Sequence, residues 1–135
     1  MEKLNEKSNV ITWFEIPVLD TKRAKKFYET ILDIKMNTQY IGETKEEMTF
    51  FPSVLGVIQA TSGRVSGALV KNERSKPSKE GILVYLNAYP TIQKVIDKIE
   101  AAGGKIVVPK FKMVAGYFSI FIDSEGNKVA IHSEA

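Results

Sequence analysis

Apolar and polar positions along the chain follow two periods, and the periods change in the same order twice. Val10 to Val18 is a β-branched and aromatic run. Phe14, Ile16 and Val18 fall on one side of it and Trp13, Glu15 and Pro17 on the other, the two-residue repeat of a strand. Asp20-Thr21 ends that strand and supplies the short polar side chain of a helix cap. Ala24, Phe27, Tyr28, Ile31 and Leu32 then recur at i, i+3, i+4, i+7 and i+8, which predicts a helix with one apolar stripe laid on a sheet. Extended segments are predicted at Ile34 to Ile41, Glu46 to Phe51 and Arg64 to Val70, with a shorter one at Val57 to Ala60. Lys71 to Glu80 (KNERSKPSKE) carries Pro77 and almost nothing apolar, as a surface connection does.

The order then repeats. Gly81 to Ala88 predicts a strand, Ile92, Val95, Ile96 and Ile99 a second helical stripe, and Gly103-Gly104 its end. Extended runs follow at Lys105 to Val108, Tyr117 to Ile122 and Lys128 to His132, with the turn DSEGN between the last two. Strand, helix and three strands, twice over, describe a duplicated module whose halves pack together because neither covers its own sheet alone. The expected organisation is a flexible tail over 1–9 and a single domain over 10–135, with modules at about 10–71 and 81–133 joined by 72–80. The fold class is α+β.

Composition narrows the chemistry. Hydrophobic residues at 44% and charged residues at 26% are ordinary for a globular domain, and at 135 residues folding buries about 70% of the unfolded surface. No apolar run reaches the roughly 20 residues of a membrane span, and MEKLNEKSNV lacks the apolar stretch of a secretory signal. The expectation is a cytoplasmic protein without membrane association. Cysteine is absent and histidine occurs once, so disulfides, thiolate metal sites and cysteine nucleophiles are excluded. The net charge of +3 comes from 19 basic residues interspersed with 16 acidic ones, not from a basic stripe, so no nucleic-acid partner is expected.

The segments FEIPVLDTKRAKKFYETIL, YLNAYPTIQKVIDKIEAAGGKIVVPK and GYFSIFIDSEGNKVAIHS resemble the vicinal-oxygen-chelate superfamily of glyoxalases, bleomycin-resistance proteins and dioxygenases. Asp20, Arg23, Ala24, Phe27 and Tyr28, taken with Asp123, Glu125, Gly126 and Asn127, carry the resemblance in order and spacing. It implies two βαβββ modules forming an open, cup-shaped mixed sheet with helices outside, and commonly a homodimer. It also implies a divalent metal held by residues on the first and last strand of each module. Carried over, those positions are Trp13, Ala68, Leu83 and Ala130, and none offers a donor that a divalent ion accepts. No cofactor is therefore expected, and a metal is disfavoured.

Strand alternation turns Glu15, Tyr85, Asn87, Lys128 and His132 into the cup, together with Trp13 and Leu83. Glu15, an acid between two core residues, is a candidate general base or ligand anchor, or equally a carboxylate paired with His132 or a lysine. His132 is a candidate proton shuttle. Tyr85 and Asn87 suit hydrogen bonding to a ligand, and Trp13 suits stacking on one or filling the space of the missing metal. Tyr117 and Phe118 are placed on an edge or rim strand, and Asp123 to Asn127 is taken as turn chemistry without a catalytic role. The leading expectation is a small-molecule-binding protein whose ligand is neutral or anionic. The alternatives are a metal-dependent lyase, isomerase or dioxygenase, a drug-sequestering protein, and an interaction module whose cup is filled by Trp13, Phe51 and Tyr85.

Overall fold

The computed structural model describes residues 3–135. The chain runs β1 (Trp13–Pro17), α1 (Thr21–Leu32), β2 (Asn37–Ile41), β3 (Glu46–Phe50), β4 (Ser66–Lys71), β5 (Tyr85–Asn87), α2 (Ile92–Ile99), β6 (Lys105–Met113), β7 (Gly116–Ile122) and β8 (Lys128–Ser133). Each module forms its own four-stranded mixed sheet, ordered β1-β4-β3-β2 and β5-β8-β7-β6. In both, the first strand pairs parallel with the last and the other pairings are antiparallel. The cup is thus built from two sheets, not one continuous ladder. No helix among the described residues is long and apolar enough to cross a membrane.

Several segments depart from expectation. Val57 to Ala60 is not a strand: Gln59 and Ala60 lie in a turn in which Thr61 N–H donates to Ile58 O, and Ile58 is exposed. Of Gly81 to Ala88 only the stretch Tyr85–Asn87 is laddered, Gly81 having a left-handed φ of 93°. β6 continues through Pro109 to Met113. It is an edge strand, so the missing N–H costs little, and its register shifts on both sides of Val108. Tyr117 and Phe118 sit on β7, an inner strand between β6 and β8, and not at the rim. Of the tail expected over 1–9, residues 1 and 2 lie outside the described residues. Asn9 is bonded to the 59–63 turn through Ala60 O, Gln59 O and Gly63 N–H.

Both helices pack on one shared core. Asp20 caps α1, its carboxylate accepting from Arg23 N–H at 3.0 Å. Ala24, Phe27, Tyr28 and Ile31 are buried along the predicted stripe, beside Ile92, Val95 and Ile99 of α2. α1 reaches into the second module, where the Phe27 ring meets Phe121 at 5.9 Å. That approach needs glycine at 104, since a Cβ there would lie 2.9 Å from both Phe27 and Ile99. Gly67 serves β1 likewise: an added Cβ would stand 2.3 Å from Phe14 O.

The module junction is closed by the β7–β8 turn. Glu125 accepts the backbone N–H of Leu19 and Asp20 at 2.9 and 2.8 Å and binds the Arg23 guanidinium at two points, 2.7 and 3.0 Å. Asp123 accepts the Tyr28 hydroxyl at 2.6 Å and the N–H groups of Glu125 and Asn127. Asn127 donates to Pro17 O at 2.7 Å and accepts from Ser78 N–H. One turn thereby satisfies the end of β1, the start of α1 and the inter-module connection. Burial raises the Tyr28 phenol well above its usual range, and Asp123 raises it further.

Burial by itself would raise the Glu125 carboxyl, but Arg23, the Asp20 and Leu19 amides and Ser124 together hold it down at about 2 instead of 4.5. A depressed folded value means stability that is complete above the unfolded pKa and lost as pH falls through the folded one. The melting temperature is expected to decline between pH about 5 and about 2. Glu125→Gln should lower stability at pH 7 by roughly 2 kcal/mol and flatten that acid decline. Circular-dichroism melts across this range check both; parallel acid limbs in the two proteins would remove Glu125 as the cause.

Candidate ligand-binding cup

Strand register places the predicted residues. On the first sheet Glu15, Ala68 and Phe50 form one cross-strand row, and Trp13 lies beside Ser66. On the second, Tyr85, Ala130 and Ile120 form one row, and Asn87, His132 and Phe118 the next. Phe14, Ile16, Val129 and Ile131 turn to the helix side, as alternation requires. Each sheet carries an aromatic pair on its cup face: Trp13 with Phe50 at 6.1 Å and Tyr85 with Phe118 at 6.0 Å. Ala68 and Ala130 lie fully buried in the floor. Phe51, expected as cup filling, belongs to the core instead, packed on Phe14 and Tyr28. It follows Phe50 by one residue, which places it on the opposite side.

The five candidates divide between two hollows. Tyr85, Asn87 and His132 line the larger, about 810 Å³, with Tyr89, Pro90 and Met113 on its wall. Glu15 lines a smaller one of about 370 Å³ between the modules, together with Lys128. Glu15 is not paired with His132 or a lysine. Its recorded partner is the Trp13 indole N–H, which donates to Oε2 at 3.3 Å. His132 Nε2 contacts Ala115 O; a carbonyl only accepts, so Nε2 carries the hydrogen of that contact. Asn87 Oδ1 is engaged by Tyr89 N–H at 2.9 Å, leaving its amide hydrogens available. Tyr85 is about half exposed, and its ring contact is with Phe118.

Trp13, Ala68, Leu83 and Ala130 contain no imidazole, carboxylate or thiolate. The nearest donors on the cup faces, Glu15 and His132, line different hollows. Among the described residues no three His, Cys, Asp or Glu side chains converge as a metal set. A divalent ion does not fit these positions. Sequence reasoning missed Phe50 and Phe118, although their parity on β3 and β7 carries the signal. It also missed that Asp123, Glu125 and Asn127 bind the first module, for which no local signal exists.

A family model described as the Glyoxalase/Bleomycin resistance protein/Dioxygenase superfamily matches residues 10–131. No curated protein matches the chain in sequence. Among solved structures, glyoxalase I from Zea mays superposes with a TM-score of 0.64 at 20% identity, over 91% of this chain and 45% of that one. The chain thus spans about half the length of the maize protein. A glyoxalase/bleomycin resistance protein from Albidiferax ferrireducens T118 gives 0.65 at 17% identity, covering 94% of this chain and 100% of the other. A glyoxalase-related enzyme from Fulvimarina pelagi gives 0.62 at 12%, over 91% and 86%. At such identities the likeness is one of fold.

The His132 contact ties the β6–β7 turn to β8. His132→Ala is expected to speed amide exchange at residues 113–117 by about tenfold, the loss of one hydrogen bond, while α1 is unchanged. Hydrogen–deuterium exchange is the check. Unaltered protection over 113–117 would show that the contact holds nothing in place.

Proposed function

Since the chain belongs to the Glyoxalase/Bleomycin resistance protein/Dioxygenase superfamily, we propose that it is a cytoplasmic small-molecule-binding protein whose cup works without a divalent metal. The observation that carries this reading is the hollow of about 810 Å³ on the second module, whose wall joins Tyr85, Asn87 and His132 to Pro90 and Met113. A volume of that size falls within the range of small-molecule sites, roughly 300–1,000 Å³. Apolar surface supplies the driving force, while the Tyr85 hydroxyl, the Asn87 amide and the His132 ring fix orientation.

The ligand is a neutral molecule with an apolar body and one hydrogen-bonding end. Glu134 on the wall opposes an anion, which narrows the neutral-or-anionic expectation. The donor set at Trp13, Ala68, Leu83 and Ala130 supports binding over metal-assisted lyase or dioxygenase chemistry. A homodimer belongs to the same reading. Edge strands β2 and β6 are unpaired on one side, and Phe111, Met113 and Val114 expose apolar surface at the end of β6.

A ligand found by thermal-shift screening of neutral compounds is expected to bind Tyr85→Phe and Asn87→Ala about fivefold to tenfold more weakly than the parent, the worth of one hydrogen bond each. Equal affinity across the three proteins would sink the assignment. Elemental analysis after dialysis is expected to find well under one equivalent of zinc, nickel, manganese or iron per chain, and a chelator to leave the melting temperature unchanged. A full equivalent whose removal destabilises the fold would contradict the metal-free cup. Sedimentation at micromolar concentration is expected to give twice the 15.1 kDa chain mass; a single species at the chain mass would count against the dimer.

A further inference from the structure

The smaller hollow, between the modules, differs in kind from the one assigned above. We propose that it is a second binding site, for a small zwitterion carrying an ammonium and a carboxylate on one short frame. Four charged side chains line it: Glu15 from β1, Lys76 and Glu80 from the inter-module connection, and Lys128 from β8. Among the described residues none of the four is ion-paired with another. The recorded salt bridges are Arg23 with Glu125 and Arg74 with Glu46. Glu15 accepts from the Trp13 indole on one oxygen, and Lys76 donates to Asn72 O at 3.3 Å.

Two carboxylates and two ammonium groups around one hollow of about 370 Å³ sum to no net charge. A lone anion gains from the lysines what it loses to the glutamates, and a lone cation the reverse. A molecule with both charges, oriented with its ammonium toward the glutamates and its carboxylate toward the lysines, gains at both ends. Lys128 is half-buried against this hollow, and among the described residues its ammonium has no ion-pair partner, which leaves it available to an added carboxylate. The volume admits a free amino acid or a short ω-amino acid.

The three charge-bearing segments are also tied together beside the hollow. Asn127 immediately precedes Lys128, donates to Pro17 O at the end of the strand bearing Glu15, and accepts from Ser78 N–H, between Lys76 and Glu80. Lys128 N–H in turn donates to Ser78 O at 3.2 Å. The backbone segments that carry the charges are therefore held relative to one another before any ligand arrives, although the Glu15, Lys76 and Glu80 side chains are exposed, and this lowers the ordering cost of binding.

The test is a titration of the ¹⁵N-labelled full chain with glycine, 4-aminobutyrate and 6-aminohexanoate, and with hexanoate and hexylamine as single-charge controls. At least one zwitterion is expected to give saturable shifts at Glu15, Ile16, Lys128 and Val129. Its Kd should be about tenfold or more below that of either control. Glu15→Gln and Lys128→Met should each raise that Kd about tenfold with the remaining spectrum unchanged, whereas Lys128→Arg should stay within about threefold. No saturable shift with any zwitterion, or a control that binds as tightly, would overturn the proposal. So would shifts confined to Tyr85, Asn87 and His132, which would report on the larger hollow and leave its own assignment standing.

Discussion

The carboxylate of Glu125 has no water-accessible surface, and a buried charge persists only where donors replace its solvent. Here the donors come from the other end of the chain: the amides of Leu19 and Asp20, and a two-point contact from Arg23. Ser124 adds a local one. The amides sit where β1 becomes α1 and have no strand or helix partner of their own, so each side of the contact completes the hydrogen bonding of the other. Asp123 and Asn127 extend the same turn to Tyr28, Pro17 and Ser78. With Phe27 reaching Phe121 beneath it, the turn makes two modules with separate ladders into one body, and the smaller hollow, lined by Pro17, Ser78 and Asn127, lies against that joint.

The family signature owes its spacing to this joint. Asp20 caps the helix, Arg23 lies one turn on to meet Glu125, and Tyr28 emerges where its hydroxyl finds Asp123. None of these residues lines the larger hollow. The residues that make the chain recognisable are thus structural, and Trp13, Ala68, Leu83 and Ala130 carry no side chain that a divalent ion accepts.

Periodicity carried most of the architecture. The stripe from Ala24 to Leu32, the cap at Asp20, and the parity that sends Ile16 and Val129 inward all follow from local chemistry. Local chemistry also misled where tertiary position overrides it. The extended run predicted over Lys105 to Val108 stops short of Pro109, yet β6 runs on through it to Met113, since an edge strand tolerates the missing N–H. Val57 to Ala60 has β-branched residues yet no neighbouring strand to pair with. Glu15 lies opposite the core-facing Phe14 and Ile16, as alternation requires, but which side chains share its hollow depends on how the modules meet, and no period within either module encodes that. The DSEGN turn shows the same limit, since its composition announces a turn and says nothing of the strand end it grips from 106 residues away.

If the Glu125 joint and the shared core make the modules one body, they have no independent stability. Native-state hydrogen exchange measures this directly, through the slowest amides of β4 in the first module and β8 in the second. Both sets are expected to exchange only by global unfolding, with the same free energy and the same denaturant dependence. Exchange of one module's strands at a free energy several kcal/mol below the other's would show two units that fold separately, and would contradict the single body.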